Sequence, residues 1–166
     1  MITRLLGGIR WIIAPDRVYW VHLLYVINLL VLTSLVWWAL WFQRETSWTY
    51  LSFAYNLLIG PGIMYFLAVL LVPETPRRIK DWRSYFFRIH KLFYGAMLGL
   101  VLAAFAGSLL ITRTHLFHPT QGVILLGLFL SITGLISKRH NVHAMLTLTM
   151  SILIGFSVVL ASNSSF

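Results

Sequence analysis

The sequence predicts an all-α fold, a polytopic bundle of five membrane-crossing helices preceded by an amphipathic helix lying in the membrane interface. Three observations carry this expectation. Of 166 residues, 59% are apolar and 10% charged, and the mean hydropathy is +0.83, well outside the range of soluble domains. Five apolar runs approach or exceed the about 20 residues needed to cover roughly 30 Å of hydrocarbon. The basic residues fall on alternate connections between those runs. A water-soluble monomer is thereby excluded. The runs are continuous rather than alternating, so an outer-membrane barrel is excluded as well.

In chain order, residues 1–17 form the arm. Leu5, Leu6, Ile9, Trp11, Ile12 and Ile13 are interspersed with Arg4 and Arg10, a pattern that suits an interfacial helix ended near Pro15. The same two arginines, with no small-residue cleavage site after them, argue against a secretory signal, so the arm is expected to be retained. The spans are expected at 18–42, 49–72, 92–112, 121–137 and 144–161, with 162–166 as a tail. The last two spans are the shortest. A hydrophobic hairpin in one leaflet is the competing reading for them, but Lys138, Arg139, His140 and Asn141 between them belong in a headgroup or aqueous layer. Aromatic residues mark the interfaces: Tyr19 and Trp20, then Trp37, Trp38 and Trp41, then Trp48 and Tyr50, then Trp82, Tyr85, Phe86 and Phe87. A pigment or partner surface is the alternative for this rim.

Thirteen Lys and Arg against four Asp and Glu give a net charge of +9. Eleven of the thirteen lie on the arm and on the second and fourth connections, leaving only Arg44 and Arg113 on the other side. The positive-inside rule then puts the N-terminus in the cytoplasm and the tail outside, in a cytoplasmic-type inner or plasma membrane. The second connection holds Arg77, Arg78, Lys80, Arg83, Arg88 and Lys91. A surface helix there suits anionic lipid headgroups, at about 1 kcal/mol per cation; topological enforcement is the competing reading. Nucleic acid is not expected as a partner, because the segment is short, tethered and without a recognisable module.

Inside the spans, Gly95, Gly99, Ala103 and Gly107 recur at four-residue steps, making a smooth ridge for helix packing within the chain or between copies. Gly127 and Ser131 form a shorter version. Gly60, Pro61 and Gly62 interrupt the second span, where proline lacks a donor and crowds the carbonyl of Leu57, so a kink is expected. Free carbonyls at such a break serve ions or substrates in some carriers. Mild polar residues, among them Asn28, Asn56, Thr147 and Ser151, are suited to bridging helices.

His22, His90, His140 and His143 fall near one face of the membrane, and His115 and His118 near the other. The first four are candidate ligands for a metal, a haem or a chlorophyll-type pigment, although no cofactor is required by the sequence. Interfacial hydrogen bonding is the plainer role for each. Cysteine is absent, which removes thiolate and disulfide chemistry. No charged residue occupies the middle of a span, which disfavours proton coupling. No hydrolase, nucleotide or metalloprotease motif is present, so no enzymatic role is expected. The expected function is association, as an accessory subunit of a larger membrane complex or as a homo-oligomer with other membrane subunits or itself as partner. A small oligomeric channel or carrier, and a haem- or pigment-binding subunit, are the alternatives.

Overall fold

The structure, a computed structural model, describes residues 1–14, 18–42, 49–110 and 119–163. Among these the regular structure is all helical, with no strand. Helix α1 (Ile2–Ile12) precedes α2 (Trp20–Phe42); α3 (Tyr50–Ala54) runs through a π-helical turn (Tyr55–Ile59) into α4 (Gly60–Leu71); a 3-10 turn (Pro76–Arg78) leads to α5 (Trp82–Leu110), followed by α6 (Pro119–Ile136) and α7 (His140–Asn163). Pro15, Arg17, Arg44, Trp48, Arg113, His115, His118 and the last three residues lie outside the described residues.

Four helical stretches are long and apolar enough to cross a membrane: Trp20–Trp41, the rod beginning at Tyr50, Trp82–Leu109 and His140–Val159. The apolar stretch Gln121–Ile136 of α6 is shorter. Helix α5 packs against α4 on one side and α6 on the other, while α2 packs against α7, α4 and α1. The starts of α2, α5 and α7 meet the ends of α4 and α6 at one end of the bundle. Tyr19 reaches His140 there, His22 reaches Leu71 and stacks on Trp82, and His143 reaches Ser137. Consecutive rods therefore alternate in direction.

Helix α5 begins at Trp82, ahead of the apolar run that starts at Leu92, and Arg83, Arg88 and Lys91 ride on its first turns. Asp81 is the cause. Its carboxylate accepts from the Arg83 amide at 2.8 Å, the Ser84 amide at 3.3 Å and the Ser84 hydroxyl at 2.5 Å, satisfying donors a helix start leaves orphaned. Trp82, Tyr85, Phe86, Phe93 and Tyr94 then face inward and are buried, while Arg83 and Arg88 face outward. A count of apolar residues stops at the last charge, whereas the helix follows its cap.

Helix α1 shows the same amphipathic logic. Leu5, Gly8 and Ile12 are buried at spacings that share a face. Gly8 lies directly against the Val72 side chain, with no room for a Cβ. The Arg4 Nε donates to the Val72 carbonyl at 2.7 Å.

Candidate functional site

The end of α4 is where the bundle is tied. A helix leaves its last carbonyls without intrahelical donors, and here three consecutive ones are met by side chains from three other helices. The Tyr85 hydroxyl on α5 donates to Leu70 at 2.7 Å, His22 Nε2 on α2 to Leu71 at 2.9 Å, and Arg4 on α1 to Val72. The cation at a helix C-terminus also answers the negative end of the dipole. Because a carbonyl only accepts, Nε2 of His22 carries the proton. Its Nδ1 is buried without a partner. The ring is stacked on Trp82, centroids 4.9 Å apart, and the Trp82 indole donates to the Trp11 carbonyl at 3.1 Å.

A second thread joins α2, α5 and α7. Nε2 of His143 lies 3.1 Å from the Ser137 carbonyl, so it donates, and Nδ1 accepts. The Tyr94 hydroxyl, 2.9 Å from that Nδ1, must then donate to it, and the Tyr25 hydroxyl, 2.6 Å from Tyr94, donates in turn. The chain thus has one direction, from Tyr25 through Tyr94 and His143 to the α6–α7 connection. Farther into the bundle, the Ser151 hydroxyl donates to the Asn28 side-chain oxygen at 3.0 Å, and the Thr147 hydroxyl to the His143 carbonyl at 2.7 Å. A cavity of about 20 Å³ lined in part by Tyr25, Asn28 and Met97 sits beside this thread, room for one water.

Of the four histidines expected near one face, the structure brings two together. The His90 and His143 rings are 5.7 Å apart. His140 is engaged by the Tyr19 hydroxyl at 2.8 Å, and His22 belongs to the α4 end. Among the described residues, no group of three or more His, Asp or Glu is placed to hold a metal ion. Among the described residues, two buried imidazole nitrogens have no hydrogen-bond partner, Nδ1 of His22 and Nε2 of His90; His90 Nδ1 donates to its own helix at Phe87, 2.5 Å away. His22, His90 and His143 are all buried within the bundle. The signal was present in the aromatic run Trp82–Phe93, which supplies the walls.

The small-residue ridge divides. At Gly107 a Cβ would enter the Tyr55 ring, and the Tyr55 hydroxyl donates to the Ala103 carbonyl, so this half packs α5 on the π turn. At Gly95 and Gly99 nothing lies within 4 Å of where a Cβ would stand. Together with Gly62, Ile63 and Phe66 of α4 they line an open apolar groove of about 340 Å³, with Lys91 at its basic end. Gly60 and Pro61 follow the π turn, in which the Gly60 amide reaches back to the Tyr55 carbonyl. That wider step relieves the clash expected at Leu57. Asn56 donates to Ser52 of its own helix at 2.9 Å. On α6 the close approaches are at Gly127, against Val101, and at Gly134, against Tyr94; Gly134 was not singled out by the sequence reading, although it continues the Gly127–Ser131 face.

The basic set divides as well. The guanidinium groups of Arg10 and Arg77 both lie over the Trp11 ring, 4.7 and 4.6 Å from its centroid, joining the arm to the connection. Arg88 lies over Tyr85 at 5.3 Å. Arg78, Lys80 and Arg88 line an open cleft of about 560 Å³ with Asp81, Ile79 and Tyr85. Hydrogen bonds, chiefly from the Ser84 hydroxyl, hold the Asp81 carboxyl below the usual carboxylate range.

These features describe an all-helical protein with four helices long and apolar enough to cross a membrane, one basic, polar-tied end, and an open apolar groove between α4 and α5. The chain matches no protein-family model, and it matches no curated protein and no solved structure.

Proposed function

We propose that the chain is a five-span protein of a cytoplasmic-type membrane that works by association, with other membrane subunits or with copies of itself. In this reading α6 is the fourth span; its 18 residues cover about 27 Å, close to the hydrocarbon thickness. The alternation of rod directions and the gathering of basic residues at one end support an N-terminus in the cytoplasm, with α1 lying in that interface and the tail outside.

The single observation that carries the association reading is the open groove between α4 and α5. Its floor is Gly62, Gly95 and Gly99, so a second helix can approach backbone to backbone, which is how helices associate where lipid supplies no hydrophobic drive. Its occupant in this reading is an apolar transmembrane helix. The open space makes the test clean. Gly99→Leu and Gly95→Leu put side chains into the groove from positions where a Cβ meets nothing within 4 Å, so the assembly should shrink. Particle size in mild detergent reads the outcome; variants with unchanged complex size and stability count against association through this face.

A further inference from the structure

We propose that Arg78, Lys80 and Arg88 form a binding site for one phosphate-bearing anion, of the kind carried by an anionic phospholipid headgroup. The inference rests on the basic end lying at the membrane surface, but not on what fills the α4–α5 groove.

Six basic residues crowd this connection, and the structure separates them by what each is committed to. Arg77 is spent on the Trp11 ring together with Arg10. Arg78, Lys80 and Arg88 instead converge on one cleft of about 560 Å³, within the usual size of small-ligand sites. Its one acid, Asp81, is turned onto the start of α5, where it accepts from the Arg83 amide and from Ser84. Three cations thus outnumber a single carboxylate whose oxygens are already engaged. Arg88 is held by the Tyr85 ring, and Tyr85 is itself fixed by its bond to the Leu70 carbonyl. A guanidinium positioned in this way loses little freedom on meeting a phosphate, and its fork of donors matches the phosphate oxygens. Ile79 and the Tyr85 ring give the cleft an apolar wall, suited to the glycerol and first methylenes of a lipid. Arg88 lies on the same stripe of α5 as Lys91, Leu92 and Gly95, at helical steps of three and four, so the cleft opens onto the face of α5 that descends into the bilayer.

The experiment measures lipid retained by the full chain in nanodiscs of mixed phosphatidylglycerol and phosphatidylcholine. Phosphatidylglycerol should be enriched. Arg88→Gln and Arg78→Gln should each lower that enrichment about fivefold, and Arg88→Lys should restore part of it. Lys138→Gln and Arg139→Gln, exposed at the same end but outside the cleft, should change it less than twofold. Equal losses from all four glutamine variants would mean a diffuse surface attraction and would overturn the site, as would equal retention of phosphatidylcholine. Adding glycerol 3-phosphate separates the two sources of this chemistry: displacement at millimolar concentration points to a soluble phosphate, and persistence of bound phosphatidylglycerol points to the lipid.

Discussion

Tyr94 of α5 occupies the space that a side chain at Gly134 of α6 would need. The ring is not free to retreat, because its hydroxyl is bonded on both sides, to Tyr25 and to His143. Gly134→Ala should therefore destabilise the protein by about 1–3 kcal/mol, as overpacking does. Gly155→Ala, at an exposed position with nothing within 4 Å, should stay within about 0.5 kcal/mol of the parent. Thermal unfolding in one detergent compares the two, and equal midpoints would contradict the packing described.

Removing the hydroxyl of Tyr94 takes one hydrogen-bond partner from Tyr25, which also meets the Thr147 side chain, and leaves His143 Nδ1 without a donor. Tyr94→Phe should cost about 1 kcal/mol, in the range of interhelical hydrogen bonds in membranes. Tyr25→Phe should cost a similar amount, since the bonds to Tyr94 and Thr147 are both lost. The two should be strongly non-additive, because the pair shares a bond; a double-mutant cycle with zero coupling would break the thread.

Asp81 makes stability depend on pH in a known direction. Its folded carboxyl titrates below its ordinary value, so its contribution is full above the unfolded value, about 4, and is lost as pH falls through the folded one. Asp81→Ala should cost about 0.5–1 kcal/mol at pH 7, and the gap between variant and parent should narrow as pH falls below about 4. Denaturation followed at pH 7 and pH 3 measures it.

Gly8 keeps the arm seated. Gly8→Leu drives a side chain into Val72 and should lift α1, breaking the Arg4 bond to the Val72 carbonyl. Trypsin should then cut after Arg4 and Arg10 faster than in the parent, with the spans left intact.

The proposed topology is open to direct labelling because the chain has no cysteine. Glu74→Cys and Ser165→Cys should react with an impermeant reagent from opposite sides of sealed vesicles. Labelling of both from one side would remove the odd span count.

Much of the architecture was readable as hydrophobic runs, since span length is set by bilayer thickness and leaves a mark on composition. Two features were not. The start of α5 at Trp82 does not show in the apolar run from Leu92 because charges on its outer face interrupt the apolar count, while the signal that sets the helix boundary is the single carboxylate of Asp81. The ridge from Gly95 to Gly107 has one sequence signature but two fates, and what divides them is the π turn that lays Tyr55 over Gly107 and leaves Gly95 and Gly99 bare. The imidazoles were found by residue type, but their partners depend on how α7 meets α5. Only the packed bundle brings Tyr94 to His143 across 49 positions of sequence.

The three carbonyls closing α4 have an implication for biosynthesis. Arg4 and His22 leave the ribosome before Leu70, but Tyr85 follows it by 15 positions. Until that tyrosine arrives, the rod that starts at Tyr50 ends on an acceptor with no intended donor. Nascent chains arrested short of residue 85 should therefore hold this rod loosely, and those extended past it should lock, making the passage of Tyr85 the keystone step of assembly.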